Sequence, residues 1–177
     1  MSETSSKHKA EAPSKLKFAI IVCSTSRYER LRRGEEVSDP SGDLIEEILR
    51  NHGQEVSMRT IVPDKREHIE NSLNTAFSSR DVDVILTCGG TGISGSDVTI
   101  ETVKPMLDKV LEGFGEIFRL ISYREIGSAA ILTRSLAGVS HGKAVFCIPG
   151  SPNAVKTALE ELIIKEAGHI IKHAREK

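Results

Sequence analysis

The sequence has no excess of charge of either sign: Lys and Arg number 24, Asp and Glu 25, for a formal net charge of -1. A general nucleic-acid or membrane-surface binder needs a basic surplus, so this balance argues against both. No apolar run is long enough to cross a bilayer. The first residues, Met1 to Lys15, are Ser, Lys and Glu without an apolar segment, unlike a secretory signal. The expected location is therefore the cytoplasm. Cysteine is scarce. Cys23, Cys88 and Cys147 each close an apolar run, and their spacing fits no zinc pattern. They read as small buried hydrophobes in a reducing compartment, all at one edge of a sheet. Also missing are an internal repeat, an internal linker and any obvious Ser-His-Asp or Cys-His set. The organisation expected is a flexible polar tail, residues 1–16, ahead of a single domain, residues 17–177, large enough for a sizeable core.

The most informative segment runs from Val82 to Thr99. Val82 to Leu86 is a continuous apolar stretch, as in a buried parallel strand. It breaks into Gly89-Gly90-Thr91-Gly92, passes Ser94, Gly95 and Ser96, and reaches Asp97 just before a helical pattern. Glycine lets a backbone turn its N–H groups toward a ligand with no Cβ in the way. Amide nests and helix N-termini favour anions, phosphate above all. A carboxylate beside them makes chemical sense when a divalent cation accompanies the phosphate. The loop is no Walker A motif, because no Gly-Lys-Ser/Thr follows. Gly90, Gly92 and Gly95 do match G-x-G-x-x-G, but a dinucleotide site needs a second strand ending in an acid about 20 residues on. That window holds Glu112 and Glu116 in helical sequence. A plain connector would not need four glycines interleaved with Thr, Ser and Asp.

The remaining pattern alternates strands and helices. Lys17 to Ser24 predicts a first strand, Thr25 to Pro40 a polar loop, and Ser41 to Gly53 a helix with Leu44, Ile45, Ile48 and Leu49 on its apolar face. Glu55 to Val62 predicts a second strand. Ile69, Leu73, Ala76 and Phe77 have helical spacing behind Asp64, which with Glu67 forms a capping box. Val82 to Cys88 is the third strand. Thr99 to Leu111 predicts a helix that Thr99 could cap and Pro105 must kink or restart. Phe114, Ile117, Phe118 and Ile121 mark another, closed by Gly127. Ala129 to Leu132 is ambiguous between helix and strand. Leu136 to Val139 and Lys143 to Ile148 suit a hairpin turning at His141-Gly142. Ser151 as N-cap and Pro152 at the first helical position open the final helices. The fold class expected is a three-layer α/β/α domain with a mostly parallel sheet and a small β-hairpin.

In open parallel sheets ligands bind outside the carboxyl ends of the strands. The loops Ser24-Thr25-Ser26-Arg27, Pro63-Asp64, Gly89 to Asp97 and Pro149 to Asn153 all follow strands and so share one rim. Arg27, Arg30, Arg32 and Arg33 around Tyr28 fit either a solvated charged loop or a cationic flap over phosphates. Asp64 fits either a helix cap or a rim carboxylate. The histidines, His141 and His169 among them, read as solvent-facing or packing residues.

Gly89-Gly-Thr-Gly92, Asp97-Val-Thr99, Gly113-Phe-Gly-Glu116, Ser135-Leu-Ala-Gly-Val139 and Pro149-Gly-Ser-Pro-Asn153 together resemble the molybdenum cofactor biosynthesis MoaB/MogA family, across about Lys17 to Ile164. Glu112 to Arg119 with Ser122 to Gly127 is more similar to the B branch. The resemblance implies a molybdopterin adenylyltransferase, which uses Mg2+ with ATP to adenylylate the molybdopterin phosphate and releases pyrophosphate. It implies Asp97 as the essential carboxylate and Asp64 as a second, both candidate Mg2+ ligands. It implies phosphate, nucleotide or pterin contacts from Gly89, Gly90, Thr91, Gly92, Ser94, Thr99, Pro149, Gly150, Ser151 and Asn153. Ser24, Thr25, Ser26, Arg27 and Glu116 match pocket positions. Ile100 departs from the family, where proline commonly follows Asp-Val-Thr. The resemblance further implies a homotrimer or homohexamer and a downstream metal-insertion enzyme as a possible partner. A non-catalytic pterin- or nucleotide-binding scaffold is the alternative, and it would not need both carboxylates.

Overall fold

The computed structural model describes residues 12–176, so most of the expected tail lies outside the described residues. Leu16, at the end of that tail, is buried in the core. Six strands form one sheet in the order β2-β1-β3-β6-β5-β4. They are β1 (Lys17–Cys23), β2 (Glu55–Val62), β3 (Val84–Cys88), β4 (Lys109–Val110), β5 (Leu136–Ser140) and β6 (Lys143–Ile148). β2, β1, β3 and β6 run parallel, and β5 is antiparallel to both β6 and β4. β1, β3 and β6 are buried almost throughout, which is why they read as unbroken apolar runs.

Each sheet face has its own core. Phe18, Ile20, Val22, Leu86, Phe146 and Ile148 pack on α2 (Pro40–Asn51), α5 (Glu112–Ile126), and the continuous helical segment of α6 (Pro152–Thr157), a π turn (Ala158–Ile163) and α7 (Ile164–Arg175). Ala19, Ile21, Ile85, Val145 and Cys147 pack on α3 (Arg66–Ser78), through Ile69, Leu73, Ala76 and Phe77. The result is the expected three layers. The hairpin also forms as expected: His141 (φ 53°) and Gly142 (φ 68°) give the two positive φ values that a tight β5–β6 turn requires.

Several boundaries differ from the sequence expectations. Thr25 to Pro40 is not all loop, because Thr25–Arg32 folds as α1. That helix buries no residue, so it has no apolar stripe to betray it. α2 starts at Pro40 rather than Ser41, capped by Asp39, whose carboxylate accepts from Gly42 N. β3 begins at Val84, although Val82 is also buried. Thr99 to Leu111 splits into α4 (Thr99–Val103), a 3-10 turn (Lys104–Met106) and β4, since Pro105 ends the α-helix instead of kinking it. Gly127–Leu132 is a 3-10 helix.

Candidate active site

β1 sends its chain toward β2 on one side, while β3 continues to β4, β5 and β6 on the other. The crevice at their carboxyl ends is therefore the topological switch point, where open α/β sheets bind ligands. A cavity of about 780 Å3 opens beside it, between the loops that follow β3 and β6. Of the residues expected from sequence, Gly89, Gly90, Thr91, Gly92, Asp97, Pro149, Gly150, Ser151 and Asn153 line it.

The glycine loop leaves the sheet sharply. Gly89 N donates to Ile148 O at 3.0 Å, so that amide completes the ladder and does not face a ligand. Gly89 and Gly90 then take φ values of 99° and 62°. Both positions also lack room: a Cβ on Gly89 would stand 2.5 Å from Cys23 O, and one on Gly90 2.4 Å from Thr99 Oγ1 and 2.7 Å from Asp64 Oδ1. Gly92 has no positive φ; there, glycine is needed because a Cβ would meet Asp97 Oδ2 at 2.7 Å. Among the described residues, no hydrogen bond takes up the N–H groups of Gly90, Thr91 or Gly92. Three successive peptide donors beside the cavity call for an acceptor from outside the chain.

Below the loop, Thr99 acts as a brace. Its Oγ1 donates to Gly89 O at 3.0 Å and its N to Gly90 O at 3.0 Å. Val98, not Thr99, holds the cap position of α4. Asp97 turns back on its own loop, where Oδ2 accepts from Ser94 N at 2.9 Å. Ser94 is exposed, with its Oγ 3.0 Å from Ser96 Oγ.

Asp64 is not a helix cap. α3 begins at Arg66 with Lys65 at its cap position and no side-chain cap bond. Instead, Asp64 Oδ2 accepts from both Thr25 N and Thr25 Oγ1 at 2.9 Å, and Asp64 N donates to Thr25 Oγ1 at 3.0 Å. The carboxylate thus ties the β1 and β2 loops together behind Gly90, and it does not line the cavity. Asp64→Ser should cost about 1–3 kcal/mol of stability, because serine cannot reach Thr25 N and leaves it unpaired. Chemical denaturation measures this; an unchanged midpoint would make the Thr25 contacts dispensable.

The other β1-loop residues stand apart from the cavity. Ser24 Oγ lies 3.5 Å from Ser26 Oγ, and Arg27 reaches Asp39 at 3.9 Å. Of the two readings of the arginine cluster, the solvated loop fits Arg30 and Arg33, which both pair with Glu35 on the surface. Glu116 is exposed on α5 in a separate hollow with Arg119, Tyr123 and Ile131. The three cysteines are buried, and burial pushes each thiol up to about 12, so none is a ready thiolate at neutral pH.

Arg134 is one of the cavity residues that the sequence reading missed, along with Ser122, Glu125 and Thr133. It follows the 3-10 turn and belongs to no recognisable motif. Its Nη1 donates to Gly92 O at 2.9 Å, and its Nη2 pairs with Glu101 of α4. Burial works against the Glu101 carboxylate, but the Arg134 guanidinium holds its pKa below the ordinary value. Arg134 therefore clamps the glycine loop to α4 while its charge stays at the cavity wall. Arg134→Met is expected to weaken binding of a phosphorylated ligand, probed with inorganic pyrophosphate, at least about tenfold, the equivalent of about 1.4 kcal/mol. Glu101→Gln, which spares the cation, should weaken it less. Equal losses in calorimetric titration would assign the whole effect to the clamp.

Asp97 and Asp64 pack against the two ends of Gly90-Thr91-Gly92. Hard carboxylate oxygens so placed suit Mg2+, which takes one or two protein carboxylates and completes its shell with water and phosphate. The site thus matches Mg2+ in donor type.

Residues 19–169 match the family described as probable molybdopterin binding domain. The chain belongs to that family. A molybdopterin adenylyltransferase from Pyrococcus furiosus is 47% identical over 173 residues, covering 96% of this chain and 97% of the relative. A molybdenum cofactor biosynthesis protein B from Bacillus cereus is 44% identical over 164 residues, covering 92% and 93%. Among solved structures, a molybdenum cofactor biosynthesis protein B superposes with a TM-score of 0.85 at 42% identity, covering 94% of this chain and all of that one (100%). The tungsten cofactor synthesizing protein MoaB of Pyrococcus furiosus gives 0.81 at 45% identity, covering 93% and 100%. The fold of this chain therefore recurs in proteins named for cofactor synthesis.

Proposed function

We propose that this chain is a molybdopterin adenylyltransferase of molybdenum cofactor biosynthesis. The observation that carries the proposal is the row of unpartnered amides at Gly90, Thr91 and Gly92 beside Asp97, in a cavity at the carboxyl ends of β3 and β6. The names of the Pyrococcus furiosus and Methanocaldococcus jannaschii relatives support it.

In this reading, an oxygen of the molybdopterin phosphate attacks the α-phosphorus of ATP. The bond from that phosphorus to the α,β-bridging oxygen breaks, and pyrophosphate leaves with the bond electrons. The nucleophile is already ionised, so no strong general base is required. What the protein must supply is in-line placement and fixed dipoles toward spreading negative charge. The loop amides and Arg134 hold phosphate oxygens, and Asn153 and Ser151 line the same cavity. Mg2+ accompanying ATP, held by Asp97 with Asp64 behind it, would offset phosphate charge. The product would pass to a metal-insertion enzyme, with the cytosol as the setting.

Incubation with Mg2+, ATP and molybdopterin should release pyrophosphate. A protein that binds both ligands without release would be a scaffold instead.

The assembly proposed is a homotrimer or homohexamer. Ile117, Leu120, Tyr123, Ile126 and Ile131 form an exposed apolar surface on and after α5, with Ile131 84% exposed. A surface of this kind marks an interface. Light scattering at micromolar concentration should report three or six chains, and a stable monomer would contradict it.

A further inference from the structure

At the sheet edge opposite the glycine loop, a second hollow of about 420 Å3 lies between the β5–β6 turn, the β4 approach and the end of α7. It is lined by Asp108, Ser140, His169 and His173 among others. The two histidines are four residues apart on α7 and so share one helix face. Their Nε2 atoms stand 2.9 Å apart. Each ring is also held from behind: His169 Nδ1 lies 3.4 Å from Glu166 Oε2, and His173 Nδ1 2.7 Å from Glu176 Oε2. A carboxylate on Nδ1 is the usual support of a metal-bound imidazole.

We propose that His169 and His173 chelate a divalent transition ion of the Zn2+ or Co2+ class, a site separate from adenylyl transfer. Imidazole suits such ions, whereas the carboxylate pair at the glycine loop suits Mg2+. Two imidazole nitrogens each about 2.1 Å from one ion stand about 3.0–3.4 Å apart, depending on the bond angle. The 2.9 Å spacing reaches that range with a small movement of either ring. Among the described residues no group of three or more His, Cys, Asp or Glu side chains could hold a metal ion, so the ligands proposed here are the two imidazoles. Asp108 is the carboxylate across the hollow that could orient such a water. Its Oδ2 already accepts from His141 N at 3.2 Å, which fixes its position. An ion here would bind the C-terminal helix more firmly in its folded form and raise thermal stability.

The test uses the full chain without an affinity tag, stripped with a chelator and kept in excess Mg2+ to occupy the carboxylate site. Co2+ is titrated while the visible absorption is followed, with His169→Gln and His173→Gln in parallel and circular dichroism to verify their folding. The expected result is a saturable band at one ion per chain, with an upward shift in Tm, both lost in each variant. No saturable band, or a band retained by either variant, would overturn the proposal and leave the 2.9 Å contact as a hydrogen bond between the two rings.

Discussion

Asp97→Asn should reduce adenylyl transfer by at least about a hundredfold, or about 2.7 kcal/mol of transition-state stabilisation, with almost no change in melting temperature. The asparagine side-chain oxygen can still accept from Ser94 N, so the loop keeps the bond that shapes it. What disappears is the negative charge that a cation beside phosphate requires. Asp97 is only partly buried and lies on a loop, so folding depends little on it. Turnover and thermal melting measured on the same preparation separate the two effects. Near-normal turnover would remove Asp97 from the chemistry, and a large fall in Tm would make its role structural.

Gly90→Val should have the largest combined effect on folding and binding. The residue sits at φ 62°, where an L side chain costs about 1–2 kcal/mol and a β-branched one is more strained still. Its Cβ would also stand 2.4 Å from Thr99 Oγ1 and 2.7 Å from Asp64 Oδ1, two atoms that brace the loop from below. Overpacking adds about 1–3 kcal/mol. The expected outcome is loss of ATP and molybdopterin binding together with a total destabilisation of about 2–5 kcal/mol. Gly95→Ala is the matched control, since nothing lies within 4 Å of its Cβ and its φ is not positive. Binding by equilibrium titration and stability by denaturant unfolding check both. A valine variant that binds like the control would reduce the loop to a connector.

The legible parts of the fold were those where burial dictates residue type. β1, β3 and β6 are covered on both faces, so their apolar runs could mean little else. Ser151 and Pro152 announced α6 through cap chemistry, and the Ser151 side chain does accept from Ala154 N. α1 escaped because it buries nothing. The helix-cap alternative for Asp64 fell only in the structure, because a capping box and a cross-loop tie can have the same local spacing. Only the fold shows that its oxygen meets Thr25, 39 residues away. The same limit hid Arg134, whose partners Gly92 and Glu101 are 42 and 33 residues distant. Motif spacing finds groups that act through neighbouring backbone, as the glycine loop does. It misses single side chains that reach a site from another element.

The most direct measurement of the central claim follows the label of ATP carrying radioactive α-phosphate, mixed with Mg2+, molybdopterin and the protein. The expected result is label in a pterin product, one pyrophosphate released for each label transferred, and neither with Asp97→Asn. Label that stays in ATP while molybdopterin and ATP both bind would contradict adenylyl transfer and make the chain a binding scaffold.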